Sequence, residues 1–296
     1  MEFTNFTELV KNEVEKRTGN GHSVRLTTTI KNNGIILSGI TVLQENCNIS
    51  PTIYLDDYYD AYKNGTATIS AITDNIMDIY KRNKISKSIN MNDFLNYEAI
   101  KHRIVYKLIN TEKNRELLEE IPHVQFHDLS IVFEYLVSQE NIGSASILIN
   151  NTYLKLWDVD TDELYRIASI NTPNLRKYVL KNMKDILRDM IGVMDSGELE
   201  DVFPMYVLTN ESAIQGAACI LYPNLLRDFA KAAQSNLFII PSSINEMLIL
   251  PYADSADSEQ IKEIIWEVNK TQVATEEVLS DNLYIYERCT NELRIL

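Results

Sequence analysis

Apolar and polar residues alternate over Val24, Leu26, Thr28 and Ile30, and a second β-rich run returns over residues 36–42. Between them stands Asn33-Gly34. Both residues tolerate positive φ, so the three segments predict a β-hairpin. Ahead of it, Phe6, Leu9, Val10 and Val14 recur at helical spacing. Asn5 and Glu8 have the spacing of a capping box, and Gly19-Asn20-Gly21 supplies a stop. Beyond the hairpin comes a Tyr- and Asp-rich stretch over residues 51–62. Ile69, Ile72, Ile76 and Tyr80 then mark one face of a second helix. Residues 81–92 are polar and basic, lack an apolar period, and read as a linker.

The pattern then changes to short apolar runs. Residues 103–110, 128–137 and 145–149 read as strands, with a helix over 111–120 stopped by Pro122. A helix opening near Thr161 turns Leu164, Ile167 and Ala168 inward and is expected to end at Asn171, ahead of Pro173. Residues 180–190 read as a further helix. In the last third, apolar runs at 205–210, 237–251 and 278–286 are separated by polar, turn-forming clusters, with helical patterns between them. A strand–turn–strand–helix order recurs over 24–80, 129–170 and 238–268, the last two helices closing before Asn171 and Asn269. The expected fold is α/β (α+β): a mixed, largely antiparallel sheet built from strand–strand–helix units, with helices packed on it. The expected division is 1–90, holding the first helix, the hairpin and the tyrosine-rich helical region, and 91–296, a mixed-sheet domain.

Composition narrows the function classes. The chain has 296 residues, 45% hydrophobic and 24% charged, which is globular and far from disorder. No apolar run approaches the roughly 18 residues that span a bilayer, and the acidic N-terminus does not read as a signal peptide. No membrane association and a cytoplasmic location are expected. The formal net charge of −14 opposes a phosphate backbone, so nucleic acid is not an expected partner. Cys47, Cys219 and Cys289 are odd in number and widely spaced, as reduced thiols would be. Neither a Walker A loop nor GxGxxG occurs, and no cofactor is expected.

Four constellations carry potential chemistry. Pro241-Ser-Ser-Ile-Asn-Glu lies between two apolar runs, so Ser242, Ser243, Asn245 and Glu246 gather at one sheet end. The cluster is either a polar site, with Glu246 as base or ligand, or a tight turn that satisfies its own backbone. In either case Glu246 is expected to accept a hydrogen bond from residues 242–245 or from Asn210. His123 and His127 stand four apart, but Pro122 before them and a strand after them argue against the one-faced helix that a metal would need. Trp157-Asp-Val-Asp-Thr-Asp-Glu opens like a calcium loop but lacks the glycine and the closing glutamate, so Thr161 reads as a helix cap with Asp162 and Glu163 against the dipole. No metal is expected. Tyr54, Tyr58, Tyr59 and Tyr62 form an aromatic patch, and helical spacing would place Tyr54, Tyr58 and Tyr62 on one face. His22 and His102 stand in polar stretches and read as solvent-facing.

Met205-Tyr-Val-Leu-Thr-Asn, Gly216-Ala, Leu221-Tyr, Pro241-Ser-Ser-Ile-Asn-Glu and Leu279-Ser-Asp with Tyr284 and Tyr286 together resemble an uncharacterised family. It is a domain-of-unknown-function group of gut Firmicutes such as clostridia. The resemblance covers most of the chain and implies a bacterial, cytoplasmic protein without an established activity. Two functions stay open. One is a non-catalytic binding or regulatory module with a protein partner, acting through Tyr54, Tyr58, Tyr62 and Asn245. The other is a hydrolase-like enzyme with a site around Asn210, Ser242, Ser243, Glu246 and Asp281. Convergence of those five side chains in one pocket would favour the enzyme.

Overall fold

A computed structural model describes residues 1–45, 47–48, 50–83, 94–137, 145–191, 204–252 and 258–296, with the side chains of 189–191 left aside. Most of the expected linker, and Asn141-Ile-Gly between two expected strands, lie outside these residues. The chain divides into two compact units, Met1–Phe94 with Ser138–Ala145, and Leu95–Val137 with Ser146–Leu296.

In the first unit, α1 (Phe3–Thr18) buries Phe6, Thr7, Val10 and Val14. Leu9 is exposed, because the buried line follows a four-residue step and Leu9 falls beside it. Asn5 and Glu8 sit inside the helix, whose N-cap is Glu2, so the expected capping box does not form. Gly19, at φ 69°, ends the helix. Strands β1 (His22–Ile30) and β2 (Ile36–Gln44) pair antiparallel from His22↔Gln44 to Ile30↔Ile36. Asn33 and Gly34, at φ 61° and 69°, turn the chain within a five-residue connection that the Lys31 N–H closes onto the Ile35 carbonyl at 2.7 Å. β3 (Thr52–Tyr54) adds to β2. Helices α2 (Asp56–Lys63) and α3 (Ile69–Arg82) follow, and Ile72, Ile76 and Tyr80 of α3 join Phe6, Val10 and Val14 in one core.

The second unit holds two sheets in which every described pairing is antiparallel. After a short helix α4 (Tyr97–Ile100), β4 (Ile104–Asn110) leads to α5 (Arg115–Glu120), which Pro122 stops. β5 (His123–Phe126) and β6 (Leu129–Leu136) form a hairpin; β4 flanks β6, and β7 (Ser146–Leu148) also pairs with it. Helices α6 (Asn151–Trp157) and α7 (Thr161–Leu175) come next. The second sheet has the order β13 (Glu292–Ile295), β12 (Tyr284–Glu287), β10 (Leu237–Ser243), β11 (Glu246–Pro251), β9 (Tyr206–Asn210) and β8 (Tyr178–Asn182). Helices α8 (Met183–Ile191), α9 (Leu225–Ala233) and α10 (Ser258–Thr271) complete the unit. The fold is α/β, built on antiparallel sheets.

Several boundaries differ from the expected ones. α7 runs through Pro173 to Leu175. The proline removes one N–H, while the Thr172 and Asn174 side chains donate to the Ala168 and Ile170 carbonyls at 2.6 and 2.8 Å and hold the last turn. Asn171 and Asn269 do not follow their helices but sit within them. Asn171 donates to the carbonyls of Lys101 and Ile104, and Asn269 to the Ser280 carbonyl and the Asp281 carboxylate. Residues 180–182 belong to β8, since pairing with β9 overrides their helical pattern. Residues 278–283 form a loop, and the strand begins at Tyr284. Asp160, not Thr161, caps α7, accepting from the Glu163 N–H at 2.8 Å.

Candidate functional site

Pro241 has no N–H to give the ladder, and the β10–β11 register shifts between Ile240 and Ser243. Pairing resumes at Ser243↔Glu246, so Ser242, Ser243 and Glu246 lie on strands and only Ile244 and Asn245 make the turn. Around that turn the polar groups are engaged. Ser243 Oγ accepts from the Asn245 N–H at 3.1 Å. The Asn245 carbonyl accepts from Thr209 Oγ1 at 2.7 Å, its Oδ1 from the Gln215 N–H at 3.0 Å, and its amide donates to Glu277 at 3.1 Å. Asn210 is 3% exposed and shapes its own loop: Oδ1 accepts from Ser212 Oγ at 2.8 Å, and the amide donates to the Ile214 carbonyl at 2.7 Å. Gly216 fits beneath these groups because a Cβ there would stand 2.1 Å from Thr209 Oγ1 and 2.5 Å from the Asn245 carbonyl.

Glu246 is partly buried and accepts a hydrogen bond from the Ser242 hydroxyl. Burial, and then the neighbouring Glu277 charge, push its carboxyl above the usual carboxylate range; the Ser242 bond works against them. Asp281 stands with a different group, accepting from Asn269 at 2.8 Å and facing Lys113 at 3.9 Å. Four of the five enzyme candidates therefore belong to the β9–β11 turn region, and Asp281 has separate partners.

Gln215 links this turn to a buried charge network. Its side-chain oxygen accepts from Arg176 at 3.0 Å. Arg176 also pairs with Glu134, which is 1% exposed on β6 and faces Lys107 at 3.3 Å and the Ser146 hydroxyl at 3.0 Å. Burial alone would raise the Glu134 carboxyl, but the two cations and two hydrogen bonds outweigh it and hold it low. The sequence signals of this network are lone charges inside apolar strand runs, Glu134 in β6 and Lys107 in β4. A second polar knot forms at Asp128, whose carboxylate accepts from Ser280 at 2.6 Å, Asn282 at 2.9 Å and the Tyr284 hydroxyl. Cys219 is buried, donates to the Thr209 carbonyl at 3.3 Å, and has its thiol pushed up to about 11 by burial.

The tyrosines are largely committed to packing. Tyr54 lies on β3, not on a helical face with the others, and Lys31 sits 4.4 Å over its ring. Tyr58 donates to Asn75 at 2.8 Å, and Tyr62 packs on Phe6 with ring centroids 5.5 Å apart. His123 is on strand β5 and His127 on the following turn at φ 56°, so no helix joins them. His102 is exposed, whereas His22 is partly buried against Tyr80. Among the described residues no three His, Cys, Asp or Glu side chains gather as a metal site.

Two open clefts stand apart from the turn. One, of about 640 Å³, is lined by Tyr178, Leu180, Tyr222, Phe229 and their neighbours along β8 and α9. The other, of about 660 Å³, lies on α10 around Trp266, whose ring carries Lys270 at 4.5 Å. No curated protein and no solved structure matches this chain. A family model described as a family of unknown function, DUF5688, matches residues 3–288. With nearly its whole length matched, the chain belongs to the DUF5688 family.

Proposed function

We propose that this protein is a non-catalytic binding module with a protein partner, working in the cytoplasm. The observation that carries the reading is the commitment of the strand-end polar groups to their own turn. Asn210, Ser243 and Asn245 spend their hydrogen-bonding capacity on backbone and neighbouring side chains. A serine nucleophile needs a base oriented by a third group. Ser242 has a carboxylate neighbour, but among the described hydrogen bonds neither serine has a histidine or lysine partner. The cleft along β8 has the opposite character. Tyr178 is 53% exposed there on the outermost strand of the sheet, beside Tyr222 and Phe229. One exposed tyrosine, seated in a cleft against the buried Tyr222 and the half-buried Phe229, suits a protein partner. No described helix is long and apolar enough to cross a membrane.

The test uses a tagged full-length chain and its Tyr178→Asp variant. Partners cross-linked in the source cells are identified, purified and titrated against both forms. The reading expects Tyr178→Asp to weaken binding by about tenfold or more with an unchanged melting temperature. Turnover of ester, phosphoester or peptide substrates that Glu246→Gln abolishes would replace this reading with the hydrolase.

A further inference from the structure

Among the described strands β8 is the last of its sheet, and its two ends give the phase of its ladder. The Glu211 N–H donates to the Lys177 carbonyl at 3.0 Å, and the Met183 N–H to the Met205 carbonyl at 2.8 Å. Both bonds continue the β8–β9 register that runs from Tyr178↔Asn210 to Asn182↔Tyr206. In an antiparallel pair, residues that exchange hydrogen bonds alternate with residues that do not. The odd-numbered residues of β8 therefore bond to β9, and the N–H and C=O groups of Tyr178 and Leu180 point away from it. No described residue bonds these outward groups. The side chains of the same two residues line the cleft of about 640 Å³. α9 supplies the facing wall through Leu225, Asp228, Phe229 and Ala232, which recur at helical spacing. The cleft is thus a groove between a strand edge and a helix.

An extended chain laid along β8 satisfies both features at once. Its backbone pairs with Tyr178 and Leu180, and every second side chain enters the groove beside the tyrosine ring. Charge narrows the occupant. Lys177 and Lys181 are exposed, and neither has an ion pair among the described residues. The Asp228 carboxylate on the helix wall is already paired with Arg227 at 3.0 Å. Two unpaired lysines at the edge of a chain with net charge −14 suit acidic side chains. They also oppose a second copy of this chain. Two β8 edges paired antiparallel, with Tyr178 of one bonded to Leu180 of the other, would set Lys177 directly opposite Lys181. Like charges in that position are destabilising.

We infer that the groove between β8 and α9 takes an extended acidic segment of the partner protein, added antiparallel to β8 as a further strand. Its apolar residues face the groove, and its acidic residues lie on the opposite face beside Lys181. The inference rests on the binding role of this cleft and assigns the form of the partner. The test titrates the full chain with an acetylated, amidated heptapeptide in which valine alternates with glutamate, valine first. Saturable one-to-one binding is expected, and the Tyr178 and Leu180 amides, fast to exchange in the free protein, should slow in the complex. In antiparallel pairing the valine opposite Tyr178 presents its N–H to β8, whereas the glutamate N–H groups face solvent. N-methylation of the valines should therefore reduce affinity by about tenfold or more, and N-methylation of the glutamates should leave it within about twofold. Lysine in place of glutamate in the peptide, or Lys181→Glu in the protein at an unchanged melting temperature, should weaken binding by about threefold or more. Absence of saturable binding, or equal affinity for the valine-methylated peptide, overturns the inference. So does protection of the two amides by self-association of the free chain, which would assign the edge to a second copy. A partner captured from the source cells that needs Tyr178 but leaves both amides fast also overturns it, while the binding reading itself stands.

Discussion

Glu134 and Glu246 show how the same side chain is driven in opposite directions by its surroundings. Glu134 is fully buried but paired, and Lys107, Arg176 and Ser146 hold its carboxyl below the ordinary range. A depressed folded value means that its stabilisation is present above the unfolded value and is lost as pH falls through about 4 toward the lower folded value. Arg176→Ala leaves the carboxylate buried with Lys107 as its remaining cation, so a loss of about 3–5 kcal/mol at neutral pH is expected in urea unfolding. Glu246 behaves in the reverse sense. Its raised folded value means that the native state holds the proton more tightly than the unfolded chain does, so stability declines as pH rises from about 4 through the folded value. Considered only as an acceptor for Ser242, Glu246→Gln would destabilise the fold. Burial and Glu277 change that sign: the amide still accepts, and the penalty on the charge disappears. We expect Glu246→Gln to be neutral or stabilising by less than about 1 kcal/mol at pH 7, and to flatten the pH dependence above 4. A melting temperature lowered by several degrees at pH 7 would contradict it.

The elements were legible wherever local pattern and tertiary demand agreed. The Asn33-Gly34 hairpin, the Pro122 stop and the strand β6 all follow from runs of a few residues. Elements whose limits depend on distant groups were not. Nothing near Pro173 announces that Tyr106 donates from its backbone to Thr172 Oγ1, tying that turn of α7 to β4. Likewise, Asn171 and Asn269 look like helix stops in a linear reading. Their amides instead satisfy loop carbonyls, which is a reason to keep a poor helix former inside a helix. Gly216 is the sharpest case. The sequence around it contains no turn signal comparable to Asn-Gly, yet an added Cβ would lie 2.7 Å from the Asn210 nitrogen as well as against Thr209 and Asn245. Two of those three atoms are backbone and cannot rotate away. Gly216→Ala should therefore cost about 3 kcal/mol, visible as a lowered urea midpoint with an unchanged slope. By contrast, Asp160→Ala removes one cap bond from α7 and should cost about 1 kcal/mol.

At the scale of the molecule, the turn cluster was visible in sequence because its residues are neighbours, whereas the charge network was not, because Lys107, Glu134, Ser146, Arg176 and Gln215 are spread over more than a third of the chain. The overall charge was legible from composition, and it leads to a prediction about the whole protein. Many of the described ion pairs are exposed pairs three residues apart on helices, such as Lys16–Glu13, Lys101–Glu98 and Lys262–Glu259. Pairs of that kind contribute little, and salt weakens them. A net charge of −14 acts the other way, since self-repulsion opposes the compact state and salt screens it. The Glu134 network is too buried to be screened strongly. Repulsion should therefore decide the sign. Raising NaCl from about 10 mM to 150 mM shortens the Debye length from about 30 Å to 8 Å and should raise the melting temperature by a few degrees. In the same buffers, duplex DNA should show no binding at 150 mM salt, because the charge that destabilises the fold also repels phosphate. A melting temperature that falls over this salt range would mean that the exposed pairs outweigh the net charge, and salt-sensitive binding of DNA would mean that a local basic surface does.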